Sequence, residues 1–328
     1  MTAKRSVQIA VSIFLLGILI WWIDPRELGR VLMDADPIWI LLALLVTTAN
    51  RILMAVKWTL LLTVKGIHLS WWRATKIYYQ STFLGVFLPP TVGGDVVRAW
   101  LVTRDEQRLP EIASSILMER AIGLLALAIF GIIAAALLPG LIGESGLDSG
   151  NLLAAIVGAC LVLVGVFVFS FSSVAEMMTL RLSKLLAKIP VVGRVASLIG
   201  KIHGAYRDYR HERATLALFF VLTMLENALP ILRAWMVALA LDVTVSPLWF
   251  LIIVPLELVL IRIPLSFDGF GIREGLFVWF LALAGVPNSV GFAVGLTNHM
   301  LFLIALVPGA VFHFLDPGAR KQQAHKAA

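Results

Sequence analysis

The stretch FLPPTVGGDVVRAWLV, residues 87–102, decides how the chain is read. It sets Pro89, Pro90, Gly93, Gly94, Asp95 and Arg98 inside a sequence that is otherwise strongly apolar. Proline and glycine release backbone groups from a helical ladder. In hydrocarbon those groups must be paired, so such a break is tolerated only against protein or a water-filled cavity. A half-helix starting after the break aims its N-terminal amides inward, which favours anions. An arginine at that place adds a planar donor fork suited to phosphate or carboxylate. The stretch therefore predicts a broken helical element carrying half of an anion-receptive site.

The composition around it supports a membrane setting. The 328 residues are 60% hydrophobic and 14% charged, against about 45–50% and about 25% in soluble domains. Apolar helices are predicted at 7–23, 37–63, 111–138, 150–171, 214–241 and 290–315, near the ~20 residues needed to cross a bilayer. Two further apolar regions, 73–102 and 247–286, are interrupted. The fold class is thus all-α, a single integral membrane domain over 1–328. The first apolar run ends in Trp21 and Trp22 before Asp24-Pro25 with no small-residue cleavage site, and reads as an uncleaved span with an interfacial anchor.

The net charge of +7 comes from a few basic connections rather than a nucleic-acid face. The loop 139–149 has no Lys or Arg, whereas 172–213 carries Arg181, Lys184, Lys188, Arg194, Lys201, Arg207, Arg210 and Arg213. The positive-inside rule then puts 172–213 and both termini in the cytoplasm, and 139–149 outside. By parity, 73–102 starts and finishes inside, as a re-entrant hairpin. Region 247–286 starts and finishes outside, either as a hairpin or as two short spans. Segment 172–213 mixes Leu and Ile with Lys and Arg and reads as an amphipathic linker on an anionic lipid surface. Cys160 alone excludes an internal disulfide and any multi-cysteine metal site.

Two parts of the chain echo each other. Asn50 precedes Trp58 by eight residues and Asn227 precedes Trp235 by the same interval. Gly94-Asp95-Val96-Val97-Arg98 matches Gly269-Phe270-Gly271-Ile272-Arg273, with Pro90 and Pro264 upstream. Glu119-Arg120 aligns with Asn298-His299. The spacing predicts repeat halves at 37–138 and 214–315, in opposite orientation, as in many secondary transporters. Chance similarity between apolar segments is the competing explanation.

Charges inside spans are costly, by ~2.5–3.5 kcal/mol each on insertion scales. Arg51, Lys57, Glu119, Arg120, Glu226, Arg233, Glu257, Arg262 and Glu274 all fall in such places. Some would pair with one another: Asp95 with Arg98, Glu119 with Arg120 or Arg51, and Glu274 with Arg273. His299 could relay protons or simply pack with a hydrogen bond. The sequence carries no zinc-type spacing, no phosphate-binding loop and no Gly-x-Ser-x-Gly elbow. No metal or cofactor is expected.

The segments LPPTVGGDVVRAW (88–100) and PLSFDGFGIREGLF (264–277) resemble the two signature regions of the flippase-like, or lysylphosphatidylglycerol synthetase transmembrane, family. The similarity spans roughly 7–315. It implies a multi-span bacterial or archaeal cytoplasmic-membrane protein that moves polar lipids between leaflets, and no enzyme, since no aminoacyl-transfer domain follows the last span. The matching motif positions are Pro90, Gly93, Gly94, Asp95 and Arg98, then Gly269, Gly271, Arg273 and Glu274. Phe267-Asp268 departs from the small residues expected there.

On that reading Arg98 and Arg273 bind a phosphate in a midplane cavity between the halves. Asp95, Glu119 and Glu274 orient them or meet a head-group amine, and Arg120, Asn50 and Arg51 complete the set. Pro90, Gly93, Gly94, Pro264, Gly269 and Gly271 form the breaks. The partners are membrane lipids and no nucleic acid. Two alternatives stay open: a secondary transporter of a small anion, or a non-catalytic membrane partner of a glycosyltransferase or lipid-modifying enzyme.

Overall fold

The computed structural model describes residues 25–88, 93–142, 202–261 and 266–315, with a few isolated positions in 13–19 and 154–165. The span expected at 150–171, most of that at 7–23, and Pro90, Pro264 and 172–201 lie outside the described residues. The elements are α1 (Pro25–Met33), α2 (Pro37–Val64), α3 (Trp71–Val86), α4 (Gly93–Glu106) and α5 (Leu109–Ile142), then a 3-10 turn (Asp208–His211). They continue with α6 (Arg213–Ala240), α7 (Leu248–Leu260), α8 (Ile272–Leu283), α9 (Asn288–Ile304) and α10 (Val307–Leu315). No strand occurs among the described residues.

Among the described residues, four stretches are long and apolar enough to cross a bilayer: Pro37–Val64, Leu109–Leu137, Arg213–Ala240 and Asn288–Leu315. These fall on the spans read at 37–63, 111–138, 214–241 and 290–315. The fold is that of a polytopic helical membrane protein. The helix α1 was not foreseen; its nine residues are too few for a clear period, and its Leu28 and Val31 pack on the core.

Local chemistry sets the helix ends. Asp36 caps α2, its carboxylate accepting from Ile38 N at 2.8 Å ahead of Pro37. Gly66, at φ +67°, closes the same helix, with Ile67 N donating to Leu62 O at 3.0 Å. This is the left-handed ending that lets orphan carbonyls be satisfied. The end of α6 does the same with Asp242 at φ +57° and Val243 N donating to Ala238 O at 2.9 Å.

Both interrupted regions fold as helix, break, helix. The arms of 16, 14, 13 and 12 residues reach only about 18–24 Å at 1.5 Å per residue, short of a ~30 Å hydrocarbon layer. In the first hairpin Gly94 lies against Ser81 and Gly85, and Arg98 over Tyr78, so α3 and α4 run antiparallel. In the second, Arg273 meets Glu257 and Phe277 meets Phe250, so α7 and α8 do too. At the first crossing a Cβ on Gly85 would stand 2.9 Å from Gly94 Cα; only glycine allows the backbones this close.

The longest helix–helix interface is between α2 and α6. Asp36 N donates to Ala240 O at 2.8 Å, while Lys57 reaches Thr223, so these two helices are antiparallel. Several packing pairs have counterparts: α2–α3 with α6–α7, α4–α5 with α8–α9, α2–α5 with α6–α9, and α3–α10 with α7–α5.

The distribution of polarity is inverted relative to a soluble protein. Ile38 and Val221 are 66% and 62% exposed, whereas Lys57, Arg98 and Glu274 are 1%, 3% and 0% exposed. Hydrocarbon as solvent explains this: apolar side chains face it without penalty, and charges retreat into the bundle. The segment expected to be a surface linker at 172–213 is anchored at its described end. Tyr209 is buried beside Leu61 and Phe219, donates to Leu61 O at 2.9 Å, and lies under the Lys65 ammonium. Burial pushes its phenol above the ordinary value.

Replacing Gly85 by valine forces the α3–α4 crossing apart. A loss of about 1–3 kcal/mol is expected, the usual scale for overpacking, read as a lower thermal midpoint of the detergent-solubilised protein. Gly29→Ala, where a Cβ meets nothing within 4 Å, should leave the midpoint unchanged.

Candidate functional site

The first break carries an ion-pair cluster. Asp95 lies in the first turn of α4, where a carboxylate suits the helix dipole. It accepts from Arg120 of α5, with Nη2 at 2.7 Å and Nε at 2.8 Å, and meets Arg98 Nη2 at 3.3 Å. Arg98 Nη2 also meets Glu119 at 2.6 Å, and Glu119 accepts from the Tyr78 hydroxyl at 3.1 Å. The Arg98 guanidinium stacks 4.6 Å from the Trp58 ring centroid and 4.8 Å from that of Tyr78. Trp58 is fixed in turn by its indole N–H donating to Ser115 at 3.0 Å. Two donors of this buried arginine, Nε and Nη1, have no acceptor among the described residues.

The second break carries a different set on the same plan. Gly271, at φ +84°, caps α8, and its N–H donates to Glu274 Oε2 at 2.7 Å. Glu274 Oε1 lies 2.9 Å from His299 Nδ1, and His299 Nε2 lies 3.2 Å from Asp268 Oδ2. Arg273 donates to Glu257 at 2.9 Å and to the Asp268 carbonyl at 3.2 Å. Arg233 of α6 donates to Asn298 Oδ1 at 3.0 Å.

The second cluster reaches α2 through Phe302 of α9. Arg51 of α2 lies 4.6 Å from the Phe302 ring centroid, and Arg273 lies 5.1 Å from the same ring. Arg51 is also within electrostatic reach of Tyr78 and Glu226. One turn and a half further along α2, buried Lys57 pairs with Glu226 of α6, donates to Thr223 at 2.8 Å and covers the Phe219 ring.

Several sequence expectations change here. Glu274 pairs with His299 and its own helix terminus, not with Arg273, whose carboxylate is Glu257. Glu119 pairs with Arg98, not with Arg120 or Arg51. The reason is that neighbours in sequence on a helix do not face each other; partners come from the next helix. Arg98 and Arg273 are each buried against carboxylates of their own cluster. A cleft of about 590 Å³ lies elsewhere, between α1 and the α6–α7 and α8–α9 connections, and includes Glu27, Arg30, Asp34 and Asp242. Asn50 is placed on α2 with its side-chain carbonyl oxygen buried and without a partner among the described residues. Gly93 sits where a Cβ would collide with Leu88, and Gly269, at φ +82°, where it would meet Arg273 Nε at 2.8 Å.

Sequence reading missed Glu257, Arg233, Asn298 and Asp268 as members of the cluster. Their in-span charge or polarity was the available signal; the pairing needed the fold. Metal-type groupings of His, Cys, Asp and Glu are absent among the described residues.

The chain matches, over residues 7–309, the family described as lysylphosphatidylglycerol synthase TM region. It belongs to that family. Similar proteins include a UPF0104 membrane protein of Methanothermobacter thermautotrophicus, 23% identical over 91% of this chain and 88% of that protein. A second from the same organism is 22% identical over 92% of each. One from Pyrococcus horikoshii is 22% identical over 40% of each. No solved structure matches.

Removing one member of the Lys57–Glu226 pair strands a buried charge. Lys57→Met should cost about 3–5 kcal/mol, and the double variant with Glu226→Gln should regain most of it. Thermal unfolding of the four proteins in one detergent checks the cycle.

Proposed function

We propose that this member of the family is a lipid translocase, moving a phosphate-bearing lipid between leaflets, and not an enzyme. The observation that carries the reading is Arg98: a buried guanidinium at a helix break with two donor nitrogens, Nε and Nη1, unmatched among the described residues. An unsatisfied buried donor costs about 1–3 kcal/mol. A phosphate oxygen entering beside Glu119 would satisfy it, and the Trp58 and Tyr78 faces hold the fork in plane for that contact. The family description, which names a lipid synthase membrane region, agrees with a lipid as the ligand.

In this proposal the halves 37–138 and 214–315 form an inverted repeat. The antiparallel α2–α6 pairing and the matched helix packing support it. The hairpins at 73–102 and 247–286 are re-entrant, a reading supported by the shortness of their arms. Segment 172–213 lies on the anionic cytoplasmic surface, and the chain resides in a bacterial or archaeal cytoplasmic membrane with both termini inside.

The arrangement in which Asp95, Glu119, Glu257 and Glu274 are each held by a basic side chain is then a closed state. Asp95 and Glu274 occupy the half-helix N-termini, and Arg98 and Arg273 are held by Glu119 and Glu257. A head-group phosphate competes with these carboxylates for the guanidinium forks while the acyl tails stay along the exposed apolar faces. Exchange of internal carboxylate for lipid phosphate lets the α2–α6 interface shift and the cavity open. Binding that is stronger in one state than the other is what moves such an equilibrium.

The test is reconstitution of the full chain in liposomes containing fluorescent phosphatidylglycerol, phosphatidylethanolamine or polyprenyl phosphate. Wild type should redistribute at least one of them faster than empty vesicles. Arg98→Gln and Arg273→Gln should each slow that lipid roughly tenfold or more, the scale of a lost charged hydrogen bond. Equal redistribution by wild type and empty vesicles for all three lipids overturns the proposal.

A further inference from the structure

Three titratable groups at the second break make a continuous hydrogen-bonded chain: Asp268, His299 and Glu274. His299 Nε2 is 3.2 Å from Asp268 Oδ2, and His299 Nδ1 is 2.9 Å from Glu274 Oε1. The side chains of His299 and Glu274 are both 0% exposed, whereas that of Asp268 is 17% exposed. The chain therefore runs from a partly accessible carboxylate to an inaccessible one. Phe270 closes over the imidazole at 4.1 Å between ring centroids.

Proton counting gives this geometry its meaning. A neutral imidazole donates from one nitrogen and accepts at the other, and an ionised carboxylate only accepts. With two ionised carboxylates and a neutral ring, one of the two contacts would set lone pair against lone pair. The second oxygen of Glu274 is already taken by Gly271 N–H at 2.7 Å, so Glu274 cannot simply turn away. Both contacts are satisfied only if the trio holds one additional proton, on the ring or on a carboxylate.

Two features set Asp268 apart. Its backbone is left-handed, at φ +48°, a conformation that Asp adopts more readily than most side-chain-bearing residues. It is also the one member of the trio with solvent exposure, at 17%.

The charges nearest the trio come from the helices packed around it. Arg273 of α8 contacts the Asp268 carbonyl and pairs with Glu257 of α7. Arg233 of α6 reaches Asn298, beside His299 on α9, and Arg51 of α2 shares the Phe302 ring with Arg273. Arg51 lies further out, beside Glu226. Arg273 and Arg233 thus stand against Asp268, Glu274 and Glu257. With a neutral imidazole this set is negative by one; with the additional proton it balances. Uncompensated charge at low dielectric is unfavourable, so an arriving phosphodiester and the retained proton favour each other.

We infer that Asp268, His299 and Glu274 form a proton-binding relay whose occupancy is linked to anion binding at the breaks. The linkage rests on the translocase reading; the proton site does not. Proton and lipid then travel as a balanced pair, with Asp268 as the exchange point with water and Glu274 holding the proton against the α8 terminus.

The test uses the full chain in nanodiscs and two readouts. The first is deuterium exchange at the imidazole C2 position, followed by mass spectrometry across pH, which reports protonation of each histidine separately. Asp268→Asn should weaken proton retention at His299 by about tenfold, equal to ~1.4 kcal/mol, while the profile of His313 stays unchanged. A His299 profile identical in wild type and variant overturns the relay.

The second readout is binding of short-chain phosphatidylglycerol, whose phosphodiester keeps one charge over the range, beside a glycerol phosphodiester lacking acyl chains. Wild-type affinity should fall at least about fivefold from pH 6 to pH 9, within the usual range of coupling, and Asp268→Asn should flatten that slope. A response to the chain-free diester equal to that for the lipid assigns the site to free phosphodiesters. Absence of binding by both removes the linkage and the translocase reading together, while the exchange profile still decides the proton site.

Discussion

Charge placed in hydrocarbon must find its counter-charge inside the protein, and the rest of this structure follows from that constraint. The long helices carry Arg51, Lys57, Glu119, Arg120, Glu226 and Arg233 while their outer faces present Ile38, Leu45, Val221 and Leu225. A helix carrying such residues is stable in a bilayer only when it is packed against others that answer them. The α2–α6 interface, with Lys57 set between Glu226 and Thr223, is where the two parts of the chain answer each other. The hairpins extend the same logic to their breaks. The carboxylates at the helix starts, Asp95 and Glu274, are held by Arg120 and His299 from the long helices that follow.

The breaks do two jobs with one arrangement. Glycine at 85 and 94 lets α3 and α4 touch backbone to backbone, which carries Arg98 onto Trp58, Tyr78 and Glu119. Glycine at 269 and 271 turns the chain so that Asp268 faces His299 and α8 begins on Glu274. Aligned positions are occupied by unlike residues: Glu119 and Arg120 in one part, Asn298 and His299 in the other. The first cluster is therefore built around arginines, and the second includes an imidazole, a group that can take up or release a proton.

Much of the architecture was legible before any coordinates. Span lengths follow from the apolar runs, and the helix limits fall within a few residues of them because Asp36, Gly66 and Asp242 mark ends by local chemistry. The breaks were legible because proline, glycine and charge coincide there. Pairing was less so. Arg273 and Glu274 are adjacent in sequence yet point to different partners, Glu257 and His299, which only the packing of α7, α8 and α9 decides. The contact of Arg51 and Arg273 with one ring, Phe302, was likewise beyond sequence reading, because it brings together α2, α8 and α9.

The central claim is that lipid phosphate enters at the two breaks and is not merely adsorbed on the outer faces. Photo-crosslinking with a phosphatidylglycerol analogue bearing its reactive group on the head group tests it most directly. The account predicts labelled peptides within Gly93–Glu106 and Ile272–Leu283 that disappear when unlabelled phospholipid is added in excess. Labelling confined to the exposed faces of α2 and α6, unaffected by competitor, would contradict it.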